Sequence, residues 1–247
     1  GNTFTVSAQV DIVGVSRENS IINCGIVGGV AQGIIVTVGN FNIRDVHFYY
    51  AGTSHTGGAA LVIKASAQTI SNVKTTNAYD AFSLGAGTLC GDICMDNILT
   101  FNTKHDSIRM ENVIDVHGNR LYLQGQSSMT AGSGWHLIGN TEGSVFTNCS
   151  NIYGLKGINI DSSYDPPSRG SCAAFTYFIG CLFDTSGSDG IIAKAFNLGF
   201  TNCWFASHGA TYNTNGFTLY RLYNCTFTDC TFAGNYRVGA AVSKCNG

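Results

Sequence analysis

The sequence predicts an all-β chain folded as a right-handed parallel β-helix. Three observations predict this fold: a cysteine-containing motif that recurs along the chain, a short alternating strand that recurs with it, and a composition rich in glycine but poor in charge. The 247 residues include 31 glycines and only 2 prolines, and 11% of them are charged. Glycine at that level without proline indicates many tight turns rather than a disordered linker.

The first repeat is a small polar residue followed by Cys or an aliphatic residue. Successive copies stand 22 to 32 residues apart, except for one step of 51 residues that we interpret as two coils. A recurring period of this size is the sequence signature of a solenoid. The copies are Asn23-Cys24, Asp45-Val46, Asn72-Val73, Asn97-Ile98, Asn148-Cys149, Gly180-Cys181, Asn202-Cys203 and Asn224-Cys225.

The second repeat is a short segment in which apolar residues alternate with others. Alternation with a period of two predicts a β-strand, and no segment shows a sustained helical stripe. Two or three short strands in every repeat fit stacked coils better than an immunoglobulin-like sandwich. We therefore expect roughly nine or ten coils, forming a rod about 45 Å long, as a single domain over residues 1–247. Copies include "GIIVTV" at 33, "ALVIKA" at 60, "SIRME" at 107, "GWHLI" at 134, "GINID" at 157, "GIIAK" at 190 and "GFTLY" at 216.

The 10 cysteines allow three interpretations. One is a disulfide-rich secreted domain, and another is a zinc site, although the spacings do not match a zinc finger. In a stacked solenoid, Cys149, Cys181, Cys203 and Cys225 would instead form one buried column. Their parallel Cβ vectors are poorly aimed for disulfides, so we expect reduced thiols, which suits assembly in bacterial cytoplasm. Asparagines at equivalent turns would form a hydrogen-bonded ladder between coils.

Charge and motifs exclude several classes of function. The formal net charge is −2 and no block of Lys or Arg occurs, so no nucleic-acid partner is expected. No apolar run is long enough for insertion into a membrane. Phosphate-binding and dinucleotide-binding fingerprints are absent, and we expect neither a metal nor another cofactor.

The coil period, the Asn and Cys/Val columns and the low charge resemble the pectate-lyase-like β-helix superfamily over nearly the whole chain. Within that superfamily, the chain looks most like the central domain of bacteriophage tailspikes. The resemblance implies a homotrimer on the virion tail that binds, and often cleaves, a surface polysaccharide of the host bacterium, such as a capsule or an O-antigen. Three functions stay open: a glycoside hydrolase, a receptor-binding spike without catalysis, and a polysaccharide lyase or epimerase.

Strand alternation gathers the few charged side chains on one outer face. One outward column holds Arg109 and His136, and the next holds Glu111 and Asp161, two coils apart. The backbones of Glu111 and Asp161 would be about 9.6 Å apart, near the roughly 6.5–9.5 Å between the acid and base carboxyls of inverting glycosidases. We assign this pair as catalytic and Arg109 and His136 as substrate-binding. The alternative is a solvated patch with ion pairs between coils.

Four further residues are assigned to substrate binding. Lys194 and Tyr220 would continue the column of Glu111 into later coils. Tyr164 and Arg169 lie in the insert "DSSYDPPSRGSC" of the longest coil. A long loop on a rigid scaffold is a common place for a ligand wall.

We assign Asp80 and Asp106 as a second candidate catalytic pair. Each stands just before a strand, in "YDAFS" and "HDSIR". These segments resemble the Asn-Thr-Asp-Gly-Ile turn of polygalacturonases, where the Asp is catalytic, although Gly-Ile does not follow either residue. Adjacent coils would bring their backbones to about 5 Å, and close carboxylates raise each other's pKa. The alternative is that each Asp forms a turn by accepting a backbone N–H.

Exposed apolar side chains supply two more expectations. Trp135 and Trp204 are candidate platforms for sugar stacking, unless they pack in the core or between subunits. Outward aliphatic residues such as Ile35 and Val62 are unusual on a solvated rod and favour subunit contact.

Overall fold

The computed structural model describes residues 3–27, 29–31, 33–52, 55–128, 131–161, 173–188, 190–206, 217–235 and 240–243. The regular elements in these ranges are β-strands, and nearly every strand pairs in parallel with a strand one coil away. The chain therefore winds as a parallel β-solenoid, which confirms the predicted all-β fold. The strand pairings fall into three columns, which we call the first, second and third sheets. Within these ranges, no helix is long and apolar enough to span a membrane.

The first sheet runs along the whole described solenoid. Its pairings start with Phe4 beside Ile34 and end with Tyr220 beside Ser243. The strands are Phe4–Val6, Ile34–Val36, Gly57–Ile63, Asp80–Leu84, the start of Ile108–Gly125, Ser133–Glu142, Lys156–Asp161, Gly190–Ala193, Phe217–Tyr220 and Ala240–Ser243.

The second and third sheets follow the first around each coil. Two long strands, Cys90–Thr103 and Ile108–Gly125, bend from one sheet into the next. The second sheet otherwise contains Asp11–Val13, Asn42–Arg44, Gln68–Ser71, Val145–Thr147, Tyr177–Ile179, Gly199–Thr201 and Thr226–Thr228. The third contains Ile21–Cys24, His47–Tyr50, Lys74–Thr76, Ser150–Ile152, Leu182–Asp184, Trp204–Ala206 and Thr231–Ala233.

Three short strands lie outside these columns. Ile26–Val27 and Val30–Ala31 pair with each other in antiparallel fashion, and Ala173–Ala174 pairs with the end of Ser133–Glu142. The solenoid has about seven turns, somewhat fewer than the nine or ten coils expected.

A single residue in the left-handed conformation turns the chain from the second sheet into the third. Asn72 and Asn97 hold this position with φ of 51° and 53°. Asparagine tolerates this region because its short side chain can hydrogen-bond locally. Asn97 Nδ2 donates to Asn72 Oδ1 at 3.0 Å, and Asn72 Nδ2 donates to Asp45 Oδ1 at 2.5 Å. The expected ladder is confirmed in these coils.

Inward aromatic side chains stack in columns through the core. Phe178 lies 5.1 Å from Phe200, and Phe183 lies 5.0 Å from Phe205, measured between ring centroids. These distances are close to the spacing between neighbouring strands, so each ring rests on its equivalent one coil away. Trp135 is fully buried, with its ring edge against Phe178 at 5.7 Å. Trp135 therefore belongs to the core and is not a sugar platform.

The cysteine column differs from the prediction by one member. Its first three residues each precede a strand of the third sheet and are almost fully buried: Cys149, Cys181 and Cys203. The fourth member is Cys230, which precedes Thr231–Ala233 in the same sheet. Cys225 was expected there but precedes Thr226–Thr228 of the second sheet. All of these cysteines are free thiols, as expected.

Candidate active site

The two predicted aspartates meet at the corner where the chain passes from the third sheet to the first. Phe82 pairs with Ile108, and this register aligns Asp80 with Asp106 on adjacent coils. The Asp106 N–H donates to Asp80 Oδ1 at 3.0 Å. The predicted closeness of the two residues is therefore confirmed.

Each aspartate also holds the turn of the next coil. Asp80 accepts the backbone N–H of Asp106, and Asp106 Oδ1 accepts the N–H of Ser133 at 2.9 Å. Each residue thus accepts a backbone N–H, as in the alternative interpretation, but from the neighbouring coil and not from its own turn. Gly132 completes the corner with φ of +73°, and a Cβ there would lie 1.8 Å from the His105 carbonyl oxygen. Only glycine fits this close approach.

Two histidines are attached to this pair of carboxylates. His136 Nδ1 lies 2.7 Å from Asp106 Oδ2. His105 Nδ1 lies 2.9 Å from Asp80 Oδ1 and 3.3 Å from Asp106 Oδ2. The Asp106 side chain is only 1% exposed, whereas those of His105 and His136 are 30% and 18% exposed. A buried carboxylate therefore orients two imidazoles through Nδ1, and each Nε2 stays available for other contacts.

The carboxylates change the proton affinity of their neighbours. The hydrogen bond to Asp80 raises the pKa of His105, burial opposes this rise, and the charge of Asp106 adds to it. His105 therefore stays cationic to a higher pH than an ordinary histidine. Burial, followed by the charges of Asp80 and Asp106, raises the pKa of Tyr79, so its phenol stays protonated.

An aromatic column that was not predicted from the sequence packs against His105. The rings of Tyr79 and His105 are stacked, with centroids 4.9 Å apart and planes at 8°. The fully buried His55 contacts Tyr79 edge-on at 6.2 Å, and Lys104 Nζ donates to the His55 carbonyl at 2.8 Å. The sequence contains a pattern that could have indicated this stacking, because Tyr79 and His105 stand at equivalent positions, each directly before the Asp of its coil.

A groove of about 320 Å³ lies beside the corner on the outer face of the first sheet. Arg109 contacts Glu111 across 3.3 Å in the groove, and Lys64 lies at the same site. The register stacks Arg109 directly beside His136, as predicted. The groove is lined by Ile35, Gly58, Ala59, Val62, Lys64, Asp80, Ser83, Ala86, Arg109 and Glu111. Ile35 and Val62, expected at a subunit contact, thus contribute apolar lining to the groove.

The predicted carboxylate pairs have different geometries. Asp80 and Glu111 line the same groove. Glu111 stands five residues beyond Asp106 along an extended strand, so the backbones of Asp106 and Glu111 are about 17 Å apart. Glu111 and Asp161 both pair with Ile138, from opposite sides. Their predicted separation of two coils, about 9.6 Å, is therefore correct at the backbone. The side chain of Asp161 lies outside the described residues.

Two of the remaining predicted substrate-binding residues, Lys194 and Tyr220, lie far from the corner. Tyr220 pairs with Ala193, and Lys194 follows in a left-handed conformation with φ of 54°. Lys194 was expected opposite Tyr220 but lies one residue beyond it, because the strand register is shifted by one. Both residues are at least four coils, about 19 Å, from Asp80. Tyr164 and Arg169 lie outside the described residues.

Asp80, His105 and Asp106 are also the described group with the spacing of a metal site. One potential ligand atom from each lies within 4.8 Å of the others. The His105 Nδ1 atom already contacts both carboxylates, however, so a cation would have to displace these hydrogen bonds. The contacts of the His105 imidazole with the carboxylates of Asp80 and Asp106 account for this arrangement.

Comparisons with known proteins support the fold. No family model and no curated protein sequence matches the chain. The A-module of mannuronan C-5 epimerase AlgE4 from Azotobacter vinelandii is similar in structure, with a TM-score of 0.60, 12% identity and coverage of 97% of this chain and 82% of that module. The AlgE6 A-module from the same organism has a TM-score of 0.59 and 9% identity, covering 97% of this chain and 75% of that module.

A third similar structure is the catalytic domain of a GH87 α-1,3-glucanase in complex with nigerose. Its TM-score is 0.54 at 11% identity, and all of this chain covers 62% of that domain. The chain thus spans less than two thirds of the glucanase domain. At these identities, the likeness extends to the β-helix fold. None of these three structures is a tailspike, so the finer resemblance stays a prediction.

Proposed function

We propose that this chain is an enzyme that cleaves a polysaccharide by acid–base catalysis at the corner of Asp80, His105, Asp106 and His136. The observation that carries the proposal is the 2.7 Å contact between His136 Nδ1 and the buried Asp106. A histidine held this way by a buried carboxylate is a common arrangement for a general base. The similar epimerase and glucanase structures lend support, because their names describe action on polysaccharides.

The reaction that this site supports best is elimination at a uronate sugar. Arg109 would bind the sugar carboxylate, and His136 in the next coil would remove the proton from the adjacent carbon through Nε2. The bond to the leaving glycosidic oxygen then breaks as a carbon–carbon double bond forms. The cationic His105 would supply the proton that the leaving oxygen needs.

Hydrolysis is the second candidate, and a different observation favours it. The backbones of Glu111 and Asp161 lie two coils apart in one column of the first sheet, a spacing compatible with an inverting pair of carboxylates. Asp106 does not suit the role of nucleophile, because it is 1% exposed and both of its oxygens accept hydrogen bonds. In this candidate the paired carboxylates do the chemistry, while the histidines bind substrate.

The biological setting that we propose is a phage tailspike. In this setting the chain would be a homotrimer on the virion tail and would act outside the host on a capsule or O-antigen. The low charge and the repeated Asn and Cys positions support this proposal. Light scattering that gives a monomer mass would count against it, and a spike without catalysis would bind the glycan without cleaving it.

One assay separates the reactions. The protein is incubated with mannuronan, polygalacturonate and a panel of bacterial capsular polysaccharides, and both new reducing ends and ultraviolet absorbance of unsaturated sugars are measured. Elimination gives both signals, whereas hydrolysis gives reducing ends alone. His136→Gln and Arg109→Ala should abolish elimination, while Asp161→Asn should abolish hydrolysis. Retention of full activity by His136→Gln would contradict the corner site.

A further inference from the structure

A strip of apolar and aromatic side chains runs along the outer face of the third sheet, away from the groove. Five residues occupy successive coils in register: Leu99, Tyr122, Ser150, Leu182 and Trp204. Trp204 is 49% exposed and Tyr122 is 36% exposed. The other three are half-buried. We call this set the third-sheet strip.

Few charged residues border the third-sheet strip. Lys74 is the in-register neighbour of Leu99 and is ion-paired with Glu18 at 2.8 Å. The outward positions two residues further along these strands are Phe101, Gln124, Ile152, Asp184 and Ala206. Asp184 is the single ionisable carboxylate among them. A sheet surface with few charges, with aromatic rings at Tyr122 and Trp204 and hydroxyl and amide groups between them, is suited to sugars, which present apolar ring faces and polar edges.

The dimensions of the strip decide between a polysaccharide and a protein partner. From Leu99 to Trp204 it extends over four coil spacings, about 19 Å, but it is only two outward residues, about 7 Å, wide between Cα atoms. A stable protein interface needs about 800 Å² on each partner, far more than this strip offers. A single extended glycan chain matches its length and width.

We infer that the third-sheet strip is a second glycan-binding site, in which one polysaccharide chain lies along the solenoid axis with sugar rings stacked on Tyr122 and Trp204. The inference rests on the proposed function, since it takes the enzyme's substrate to be a polysaccharide. The third sheet leads directly into the corner that holds Asp80 and Asp106. A chain bound on the strip would therefore keep the polymer beside the acid–base site between cleavage events.

The chain offers a direct spectroscopic test, because it contains 2 tryptophans. Trp135 is fully buried and Trp204 is half-exposed, so acrylamide quenching reports mainly on Trp204. We would measure quenching with soluble mannuronan, dextran and nigero-oligosaccharides as probes, using the Asp106→Asn protein to prevent cleavage. At least one probe should reduce the quenching of Trp204 about twofold or more, as expected when a stacked sugar covers one ring face.

Variants make the test specific. Trp204→Ala and Tyr122→Ala should each weaken binding of that probe about two- to tenfold, the loss expected for one aromatic contact. Tyr177→Ala is the matched control, because Tyr177 is 41% exposed on the second sheet, outside the strip. This control should bind the probe like the parent.

The outcomes separate the inference from the proposed function. Protection of Trp204 by a probe supports the glycan site even if the parent cleaves nothing. Cleavage without protection of Trp204 by any probe overturns the inference and leaves the proposed function intact. A Trp204 signal that changes with protein concentration alone would overturn it in favour of contact between copies of the chain.

Discussion

Replacement of Asp106 by Asn is the most informative perturbation of the corner. Asp106 accepts hydrogen bonds from Ser133 N–H at 2.9 Å and from His136 Nδ1 at 2.7 Å. In Asp106→Asn the amide oxygen can still accept the Ser133 N–H. The amide nitrogen then faces His136 Nδ1 and can only donate to it. His136 must therefore carry its proton on Nε2, where it can no longer act as a base.

The expected magnitudes follow from these contacts. Exchange of a charge-assisted hydrogen bond for a neutral one should lower the free energy of unfolding by about 1–2 kcal/mol. For a chain of this size that loss corresponds to a decrease in Tm of about 2–8 °C. Loss of a positioned general base should lower kcat about 10²- to 10⁴-fold. Thermal unfolding by circular dichroism and the cleavage assay measure the two effects separately.

The control is the same substitution at another hydrogen-bonded aspartate. Asp96 lies on the second sheet, is paired with the exposed Arg120, and is remote from the corner. Asp96→Asn should change stability by at most about 1 kcal/mol and leave kcat unchanged. If Asp106→Asn loses no more activity than Asp96→Asn, His136 does not depend on Asp106 and the reasoning is wrong.

Three further predictions concern pH, turns and the core. Asp80→Asn replaces the charged acceptor that raises the pKa of His105 with a neutral one, so the alkaline limb of the pH–rate profile should move to lower pH. The Asp80–His105 pair should contribute its full share of the free energy of unfolding below the ordinary histidine pKa. This contribution should be lost as pH rises through the raised pKa of His105, which urea unfolding at several pH values can measure. Asn97→Ala should cost about 1–2 kcal/mol by strain at positive φ, and Asn97→Gly less. Trp135→Ala should cost about 3–5 kcal/mol in denaturant unfolding, whereas Trp204→Ala should cost under about 0.5 kcal/mol, and equal costs would refute the burial argument.

Inward and outward directions were predictable from the sequence because strands alternate strictly. That rule correctly placed Arg109 beside His136 and Glu111 two coils from Asp161. It failed at Lys194, because the strand Gly190–Ala193 is shifted by one residue and a shift of one exchanges the two faces. Alternation is informative only when the first residue of the strand is known.

Corners were harder to predict than strands. Asn224-Cys225 and Asp229-Cys230 carry the same motif five residues apart, yet they start strands of different sheets. The motif describes a residue in the left-handed conformation followed by an inward side chain. The corner before the second sheet and the corner before the third sheet both need that conformation. Likewise, the contacts of His105 with Asp80 depend on the path of a turn, which local sequence does not specify.

The stacked phenylalanines have a consequence for how this molecule can change in length. Each ring rests on an equivalent ring from the neighbouring winding, so a segment that is excised or duplicated as one complete winding leaves the same kind of surface at the joint. The length of the solenoid could thus vary in steps of about 4.8 Å without a redesign of the interior. Insertion of a single residue inside a strand would be far more disruptive, since every apolar side chain beyond the insertion in that strand would turn toward water.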